Sequence, residues 1–191
     1  WKRFFQSFDF YFKILIGFIP AVVFGLLLKD TIDSLLERVD VVGYTLLGGG
    51  IFFLFIDRIF KTEHLEDQEV TYSKAFKIGF FQVIAMIPGV SRSAATIIAG
   101  LSQKLNKKTA AEFSFFLAVP TMFAATLYSM YGFYESGGRF GKSEVTALVI
   151  GNLVAFVVAM AAIKSFITFL TRHGFKVFGY YGIAVGGIIL I

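Results

Sequence analysis

The stretch that decides the fold is Ile78–Gln103, which reads IGFFQVIAMIPGVSRSAATIIAGLSQ. Arg92 is its only charged residue. Its length suits a membrane span, because a bilayer core of about 30 Å needs about 20 helical residues. Pro88 interrupts the helical pattern near the middle, since proline removes a backbone donor and disfavours helix in the residue before it. The segment is therefore either a broken spanning helix or two half-helices that enter and leave a membrane on one side.

The composition favours a membrane protein. Of the 191 residues, 57% are apolar and 16% are charged, whereas soluble domains average about 45–50% and about 25%. The formal charge of +5 does not indicate a nucleic-acid partner, because the basic residues lie between apolar runs and form no continuous patch. Basic flanks of this kind face anionic lipid headgroups and the cytoplasm. Cysteine is absent, which excludes disulfides and thiolate sites.

Five further apolar runs predict transmembrane helices. They are Ile14–Leu28 with an aromatic extension back to Phe8, Val41–Ile56 continuing to Phe60, Phe113–Tyr134, Val145–Ile163 and Val177–Ile191. In the last run, Gly182 and Gly186 form a small-xxx-small pair, which is typical of helix packing. The predicted fold class is all-α: a polytopic membrane protein with five transmembrane helices and one re-entrant helical hairpin. Residues 1–191 form a single transmembrane domain, with the re-entrant loop at about 78–103.

The distribution of lysine and arginine decides between the two alternatives for Ile78–Gln103. If the segment is re-entrant, thirteen basic residues lie on one side of the membrane, namely Lys2, Arg3, Lys13, Arg58, Lys61, Lys74, Lys77, Lys104, Lys107, Lys108, Lys164, Arg172 and Lys176. The other side then carries four, namely Lys29, Arg38, Arg139 and Lys142. If the segment crosses once, the tally becomes nine against eight. Because the positive-inside rule expects asymmetry, the sequence predicts a re-entrant hairpin with its basic side in the cytoplasm.

The loop at the break has the chemistry of an anion site. The hydroxyls of Ser91, Ser93 and Thr96 surround the guanidinium of Arg92, whose planar donors match phosphate oxygens. Gly89 lets the backbone approach a ligand closely. A half-helix that begins after the loop directs its free N–H groups and positive dipole end to the same place. The alternative is that Arg92 pairs with a buried carboxylate while the serines cap a helix.

Other polar residues have simpler interpretations. Gln82 either hydrogen-bonds a phosphate or a metal-bound water, or bonds across helices. Glu112 is interpreted as an interfacial charge at the start of a span. His64 and His173 lie in polar connections without metal-ligand spacing, so no metal ligand is assigned in this sequence. An acidic cluster is interpreted as a solvated cytoplasmic loop; it comprises Glu63, Glu66, Asp67 and Glu69.

Three stretches resemble one family of bacterial membrane enzymes. Residues 79–96, GFFQVIAMIPGVSRSAAT, look like the second signature of the undecaprenyl-diphosphatase family, also called bacitracin-resistance proteins. That signature reads Pro-Gly-x-Ser-Arg-Ser-x-x-Thr, and every fixed position matches. Residues 111–120, AEFSFFLAVP, and 16–21, IGFIPA, resemble two further helices of the family. Pro20 and Pro120 each lie inside a predicted span and are followed by small residues. Inverted repeats leave weak internal similarity of this kind.

The resemblance implies a reaction and a set of site residues. The reaction is hydrolysis of undecaprenyl diphosphate to undecaprenyl phosphate and phosphate, which recycles the lipid carrier of peptidoglycan synthesis. The implied catalytic positions are Arg92, Ser91 and Ser93, and the implied substrate-binding positions are Gly89, Thr96 and Gln82. A polyprenyl-phosphate flippase or a small-anion transporter stays open as the alternative, because broken helices at mid-membrane are also transporter features.

The resemblance also implies the surroundings of the chain. It predicts a multi-pass protein of the bacterial plasma (inner) membrane, with polyprenyl diphosphate and membrane lipids as partners, and it leaves a homodimer open. A divalent cation, Mg²⁺ or Ca²⁺, is the expected cofactor. The family's first signature, with two glutamates, Pro-x-Ser-Ser and a histidine, has no match in this sequence. We therefore expect that the sequence begins after that signature, that it is half of an inverted-repeat architecture, and that this fragment alone is inactive.

The re-entrant prediction is tested with single cysteines. Because the chain contains no cysteine, Lys74→Cys and Lys104→Cys each give one labelling site without background. A membrane-impermeant maleimide should modify both positions from the same side of sealed vesicles. Modification from opposite sides would show that Ile78–Gln103 crosses the membrane.

Overall fold

The computed structural model of the protein describes residues 8–60 and 69–191, and every regular element within these ranges is helical. The α-helices are α1 (Phe8–Leu27), α2 (Lys29–Leu36), α3 (Val39–Ile59), α4 (Tyr72–Gln82), α5 (Arg92–Ser102), α6 (Lys107–Glu135), α7 (Lys142–His173) and α8 (Lys176–Ile189). One turn of 3-10 helix, Val83–Met86, continues α4. The predicted all-α fold is therefore confirmed.

Four of these helices, α1, α3, α6 and α7, are long and apolar enough to cross a membrane. Each coincides with a predicted span, as expected of a membrane protein. Helix α8 has 14 residues and a length of about 21 Å, which is short for a bilayer core of about 30 Å, so the fifth crossing stays a prediction. Helix α2 is not predicted from the sequence, because its 8 residues, KDTIDSLL, contain no long uncharged run.

The break in the central segment lies where the proline predicts it. Helix α4 gives way to the 3-10 turn at Val83, Ile87 is extended with φ −72° and ψ 124°, and α5 begins at Arg92. The extended backbone of Ile87 follows from the proline after it, because the ring of Pro88 clashes with a helical residue at that place. Each of α4 and α5 has 11 residues, about 16 Å of helix, so each spans about half of a bilayer core.

Contacts with α1 bring the outer ends of α4 and α5 to the same end of the bundle. At the start of α1, Asp9 accepts a hydrogen bond from the hydroxyl of Tyr72, the first residue of α4. One residue later, the ring of Phe10 packs edge-on against Phe113 and Phe116, 6.2 and 5.0 Å between ring centroids. These two rings lie in the first turns of α6, which follows α5 after a short connection. The two half-helices therefore form a hairpin, and the side of the membrane that it faces stays a prediction.

Helices α1 and α6 pack against the hairpin of α4 and α5. Helix α1 lies so close to α4 that a Cβ added at Gly79 would be 1.8 Å from the carbonyl oxygen of Gly17. On the other side of the hairpin, Ile97 and Leu101 of α5 are buried together with Phe113 and Leu117 of α6 in the hydrophobic core. Apolar packing thus holds both half-helices in place, while the loop between them carries the polar groups.

Helices α3 and α8 form a second, closely packed pair with glycines along the contact. A Cβ added at Gly50 would be 2.7 Å from the backbone nitrogen of Ile183 and 2.8 Å from the carbonyl oxygen of Gly179. At Gly186 it would be 2.6 Å from the backbone nitrogen of Leu47. The predicted packing role of the Gly182 and Gly186 pair is therefore confirmed, since both glycines are buried against α3.

Asp57 connects the α3–α8 pair to the rest of the bundle. One of its carboxylate oxygens forms an ion pair with Lys107 Nζ at 2.7 Å, where α6 begins. The other accepts a hydrogen bond at 2.8 Å from the backbone N–H of Phe175, just before α8. Both charged side chains are mostly buried, with 12% and 15% of the lysine and aspartate side chains exposed. The carboxylate therefore ties the end of α3 to the beginnings of α6 and α8.

The glycine contact yields a prediction with a control two residues away. Gly50→Ala should lower the melting temperature in detergent, because the atoms it would meet belong to the backbone and overpacking typically costs about 1–3 kcal/mol. Gly48→Ala should leave the melting temperature unchanged or raise it, because no atom lies within 4 Å of the added Cβ and a helical glycine costs about 0.5–1 kcal/mol relative to alanine. Equal melting temperatures for the two variants would contradict the close packing of α3 on α8.

Candidate functional site

The loop between the half-helices begins with a tight turn over Ile87–Val90. The backbone N–H of Val90 donates to the carbonyl oxygen of Ile87 at 3.1 Å, which closes a four-residue turn. Pro88 and Gly89 occupy its two central positions, and Gly89 has φ +86°. Proline first, glycine second and a positive φ at the glycine are the features of a type II turn. The Pro-Gly pair therefore reverses the chain without a helical residue.

Helix α3 lies directly against this turn. The hydroxyl of Thr45 donates a hydrogen bond of 2.7 Å to the carbonyl oxygen of Pro88. A Cβ added at Gly89 would be 2.1 Å from Thr45 Oγ1 and 2.9 Å from the carbonyl oxygen of Val42. The structure thus gives Gly89 two local reasons to be glycine, its positive φ and the proximity of α3. Its predicted contact with a ligand stays a prediction.

Ser91 and Ser93 lie at the start of α5. Ser91 is the N-cap residue, and its side-chain oxygen accepts a hydrogen bond from the backbone N–H of Ala94 at 3.3 Å. The two serine hydroxyls are 3.2 Å apart. Ser91 is exposed and Ser93 is half-buried. The predicted capping interpretation therefore holds for Ser91, and both hydroxyls flank the positive end of the α5 dipole, where an anion is favoured.

Arg92 is half-buried beside α6. Its Nη1 donates a hydrogen bond of 3.1 Å to the backbone carbonyl oxygen of Ser114. Within residues 8–60 and 69–191, no carboxylate forms an ion pair with this guanidinium. The alternative interpretation from the sequence, a buried Arg–carboxylate pair, therefore finds no support in the described part of the chain. A guanidinium has five N–H donors, so most of the donors of Arg92 stay available to an anion.

Thr96 lies one turn further along α5 and is completely buried, with 0% of its surface exposed. Its hydroxyl is 2.6 Å from the hydroxyl of Ser114, which is equally buried. It also lies 3.0 Å from the carbonyl oxygen of Arg92 and 3.2 Å from that of Ser93. The described contacts of Thr96 therefore fasten α5 to α6. Its predicted contact with a substrate stays a prediction.

Gln82, the last residue of α4, is buried with 3% of its surface exposed. Its Nε2 donates a hydrogen bond of 3.2 Å to the hydroxyl of Thr121 on α6, which realises the cross-helix interpretation. Its Oε1 accepts no hydrogen bond in the described ranges. The amide thus keeps one acceptor without a described partner, and binding of a substrate by Gln82 stays a prediction.

Groups that could hold a metal do not assemble in the described ranges. Residues 8–60 and 69–191 contain no cluster of three or more His, Asp or Glu side chains. His173 is exposed and stacks on Phe169, 4.5 Å between ring centroids. Glu112 is half-buried in α6, which begins six residues before the predicted span of Phe113–Tyr134. Glu69 is exposed, as predicted. The other predicted loop residues, His64, Glu63, Glu66 and Asp67, lie outside the described residues.

Three polar partners of the loop are not identified from the sequence, namely Thr45, Ser114 and Thr121. Each lies inside an apolar helix, where a hydroxyl normally bonds to a carbonyl of its own helix. The available signal is weak, since it consists of a single small polar residue within a long apolar run. Nothing in the local sequence shows which of several such residues faces the loop. The structure identifies them because their hydroxyl or carbonyl oxygens contact residues 82–96.

Comparison with known proteins points to one family. The family model described as bacitracin resistance protein BacA matches residues 2–188. An undecaprenyl-diphosphatase of Flavobacterium johnsoniae is 57% identical over the whole chain, which covers 72% of that relative. One of Porphyromonas gingivalis is 53% identical over the whole chain, which covers 68% of the relative. One of Aquifex aeolicus is 44% identical over 97% of the chain, which covers 72% of the relative.

The buried contact between Thr96 and Ser114 yields a prediction about stability. Thr96→Val should lower the melting temperature in detergent, because it leaves the Ser114 hydroxyl without a partner, at a cost of about 1–3 kcal/mol. Thr126→Val is the matched control, since that exposed hydroxyl bonds only to its own helix, at 2.9 Å from the carbonyl oxygen of Met122. The double variant Thr96→Val with Ser114→Ala should lose less than the sum of the single variants. Strict additivity would contradict a direct bond between the two hydroxyls.

Proposed function

The chain belongs to the bacitracin resistance protein BacA family, and from this premise we propose that it hydrolyses undecaprenyl diphosphate to undecaprenyl phosphate and inorganic phosphate. Relatives that bear the name undecaprenyl-diphosphatase match the whole chain at up to 57% identity among those compared. The reaction breaks the bond between the bridging oxygen and the terminal phosphorus, and the oxygen of water takes the place of the bridging oxygen. The product with one phosphate is the recycled lipid carrier.

The observation that carries the site assignment is Arg92, which lies at the start of a half-helix without a carboxylate partner in the described ranges. An arginine within a membrane span costs about 2.5–3.5 kcal/mol on insertion scales. A position that bears this cost, and leaves most of the guanidinium donors free, suits a residue that binds a multiply charged anion. Its planar donors can engage two phosphate oxygens at once.

Each neighbour of Arg92 has a role in this proposal. Ser91 and Ser93 precede and follow Arg92 in the chain, and their hydroxyls lie 3.2 Å apart. In this proposal they bind phosphate oxygens that Arg92 does not reach. The backbone N–H groups at the start of α5 and the positive end of its dipole stabilise the same charge. Fixed donors of this kind contribute most where the site excludes water, since they need no reorganisation as charge moves to the bridging oxygen. Gln82 and Thr96 are buried, and their hydrogen bonds to Thr121 and Ser114 position α4 and α5 against α6.

A divalent cation, Mg²⁺ or Ca²⁺, belongs to the proposal through the family resemblance alone. The described residues do not by themselves fit such an ion, because no three carboxylate or imidazole side chains converge among residues 8–60 and 69–191. No step of the proposed mechanism therefore passes through a metal ion. Arg92 supplies the positive charge, and the two serines and the α5 amides supply the neutral hydrogen-bond donors, that this chain offers to the diphosphate.

The setting of the enzyme completes the proposal. We propose a multi-pass protein of the bacterial plasma membrane, because four long apolar helices alternate with polar connections. The substrate's polyprenyl tail then lies in the lipid beside the helices, while its diphosphate reaches the loop between α4 and α5. Assembly into a homodimer also belongs to the proposal.

The proposed function is tested by phosphate release from C55 diphosphate in detergent, where transport across a membrane has no meaning. The complete protein should release phosphate. Both Arg92→Ala and Arg92→Lys should lower kcat by about 10²–10³-fold, because loss of one donor to a developing charge has that effect and lysine does not grip two oxygens. The melting temperature should change little, since no carboxylate in the described ranges is left unpaired. A fully active Arg92→Lys variant would exclude the proposed role of Arg92.

A further inference from the structure

We infer that Thr45 is a positioning residue for the hydrolysis. Its hydroxyl fixes the peptide bond between Pro88 and Gly89 in one orientation, so that the N–H of Gly89 faces away from α3 as a donor to a phosphate oxygen. The inference rests on the proposed function, because it concerns the same loop. It assigns a task to a residue that lies 43 positions from the loop in sequence, on a different helix.

The contacts of Thr45 show a side chain committed to the loop. Its Oγ1 lies 2.7 Å from the carbonyl oxygen of Pro88, 2.9 Å from that of Val41 and 3.1 Å from that of Val42. A hydroxyl has a single proton to donate. A helical threonine is satisfied by its own helix, as the 2.9 Å bond to Val41 would allow. The contact with Pro88 is the shortest of the three and is made with a different segment, so it adds a restraint that the helix itself does not need.

This restraint acts on the central peptide of the turn, between Pro88 and Gly89, which could otherwise adopt two orientations. Type I and type II turns differ mainly in the orientation of the central peptide, here Pro88–Gly89. Proline at the first central position is compatible with both types. Glycine at the second adopts positive and negative φ about equally readily. The Pro-Gly pair alone therefore leaves the peptide two orientations, and the bond from Thr45 selects the one with Gly89 at φ +86°.

The orientation of the peptide fixes the direction of a donor. The bond is trans, as are all peptide bonds in the described ranges, so its carbonyl and its N–H point in opposite directions. Since the carbonyl of Pro88 points to α3, the N–H of Gly89 points away from α3. This N–H donates to no residue within 8–60 and 69–191. Backbone donors that are shielded from water normally have a partner, and a bound anion next to Ser91 and Arg92 would both shield this half-buried N–H and supply its partner.

A positioning role separates Thr45 from a residue that merely packs. If the hydroxyl is lost while the shape is kept, the turn persists but its central peptide samples both orientations. The N–H is then directed to the anion for only part of the time, so anion binding and turnover weaken. The contact that holds α3 against α8 is lined by glycines and does not involve the Thr45 hydroxyl. Stability should therefore change much less than function.

The test compares Thr45→Val with Thr45→Ser in the complete protein. Thr45→Val should lower kcat by about 10-fold, less than the about 10²–10³-fold typical for removal of a donor, because the N–H remains but is no longer held. The inhibition constant of inorganic pyrophosphate should rise by a similar factor, and the melting temperature should stay close to that of the unmodified protein. Thr45→Ser retains the hydroxyl and should restore both kinetic constants. Thr168→Val is the matched control, since that exposed hydroxyl bonds only to its own helix, at 2.9 Å from the carbonyl oxygen of Lys164.

Each outcome decides the question. Unchanged kcat and pyrophosphate affinity in Thr45→Val would overturn the inference, and so would a loss that follows the melting temperature and appears equally in Thr45→Ser. If the unmodified complete protein released no phosphate, the proposed function would fail separately. Pyrophosphate binding, measured by thermal shift, would still test the inference in that case. Equal affinity of Thr45→Val and the unmodified protein for pyrophosphate would then overturn it.

Discussion

In a hydrocarbon environment every backbone N–H and C=O needs a hydrogen-bond partner, and an irregular loop can exist there only where protein or water surrounds it. At the break between α4 and α5, two neighbouring helices supply several of these partners, and the N–H of Gly89 is a donor left to the proposed anion. Thr45 of α3 donates to the carbonyl of Pro88, and the turn closes on itself through Val90. On the opposite side, Ser114 of α6 accepts a hydrogen bond from Arg92 at its backbone carbonyl oxygen. The hydroxyl of Ser114 is hydrogen-bonded to the hydroxyl of Thr96. Helices α3 and α6, which the sequence identifies only as membrane spans, therefore also surround the loop and supply its hydrogen-bond partners.

Two charged residues inside the bundle, Asp57 and Arg92, are accommodated in opposite ways. Asp57 is paired with Lys107 and accepts a hydrogen bond from Phe175, so its charge is balanced within the protein. Arg92 contacts only a neutral carbonyl in the described ranges, so its charge remains available. An unpaired buried charge is strongly unfavourable, and charged groups in such environments cluster at functional sites. The contrast within one small bundle supports a structural role for the aspartate and a ligand-binding role for the arginine.

Much of this architecture can be predicted from the sequence, because a helix that crosses a membrane needs a long run of uncharged residues. Uncharged runs mark α1, α3, α6 and α7, and Pro88 marks the break. The loop residues are also evident, since Arg92 stands out in an apolar stretch. The partners of the loop are not evident, because an isolated threonine in a helix can bond to its own backbone and shows no direction. The sequence also does not predict that the apolar window of α7 is exposed along its whole length. A span that faces lipid and a span that faces protein have a similar apolar composition.

The link between Asp57 and Phe175 has a consequence for the order of assembly. The two residues are 118 positions apart, and ribosomes add about 5–20 residues per second. The end of α3 therefore waits on the order of 6–24 s for its partner, while α4, α5 and α6 are already emerging beside it. During this interval α3 lacks the glycine-lined contact with α8 that is its most extensive one. Helix α3, which carries Thr45, thus becomes fixed only when α8 is made, and a pause in synthesis before α8 would leave an inserted bundle whose loop is still free to turn.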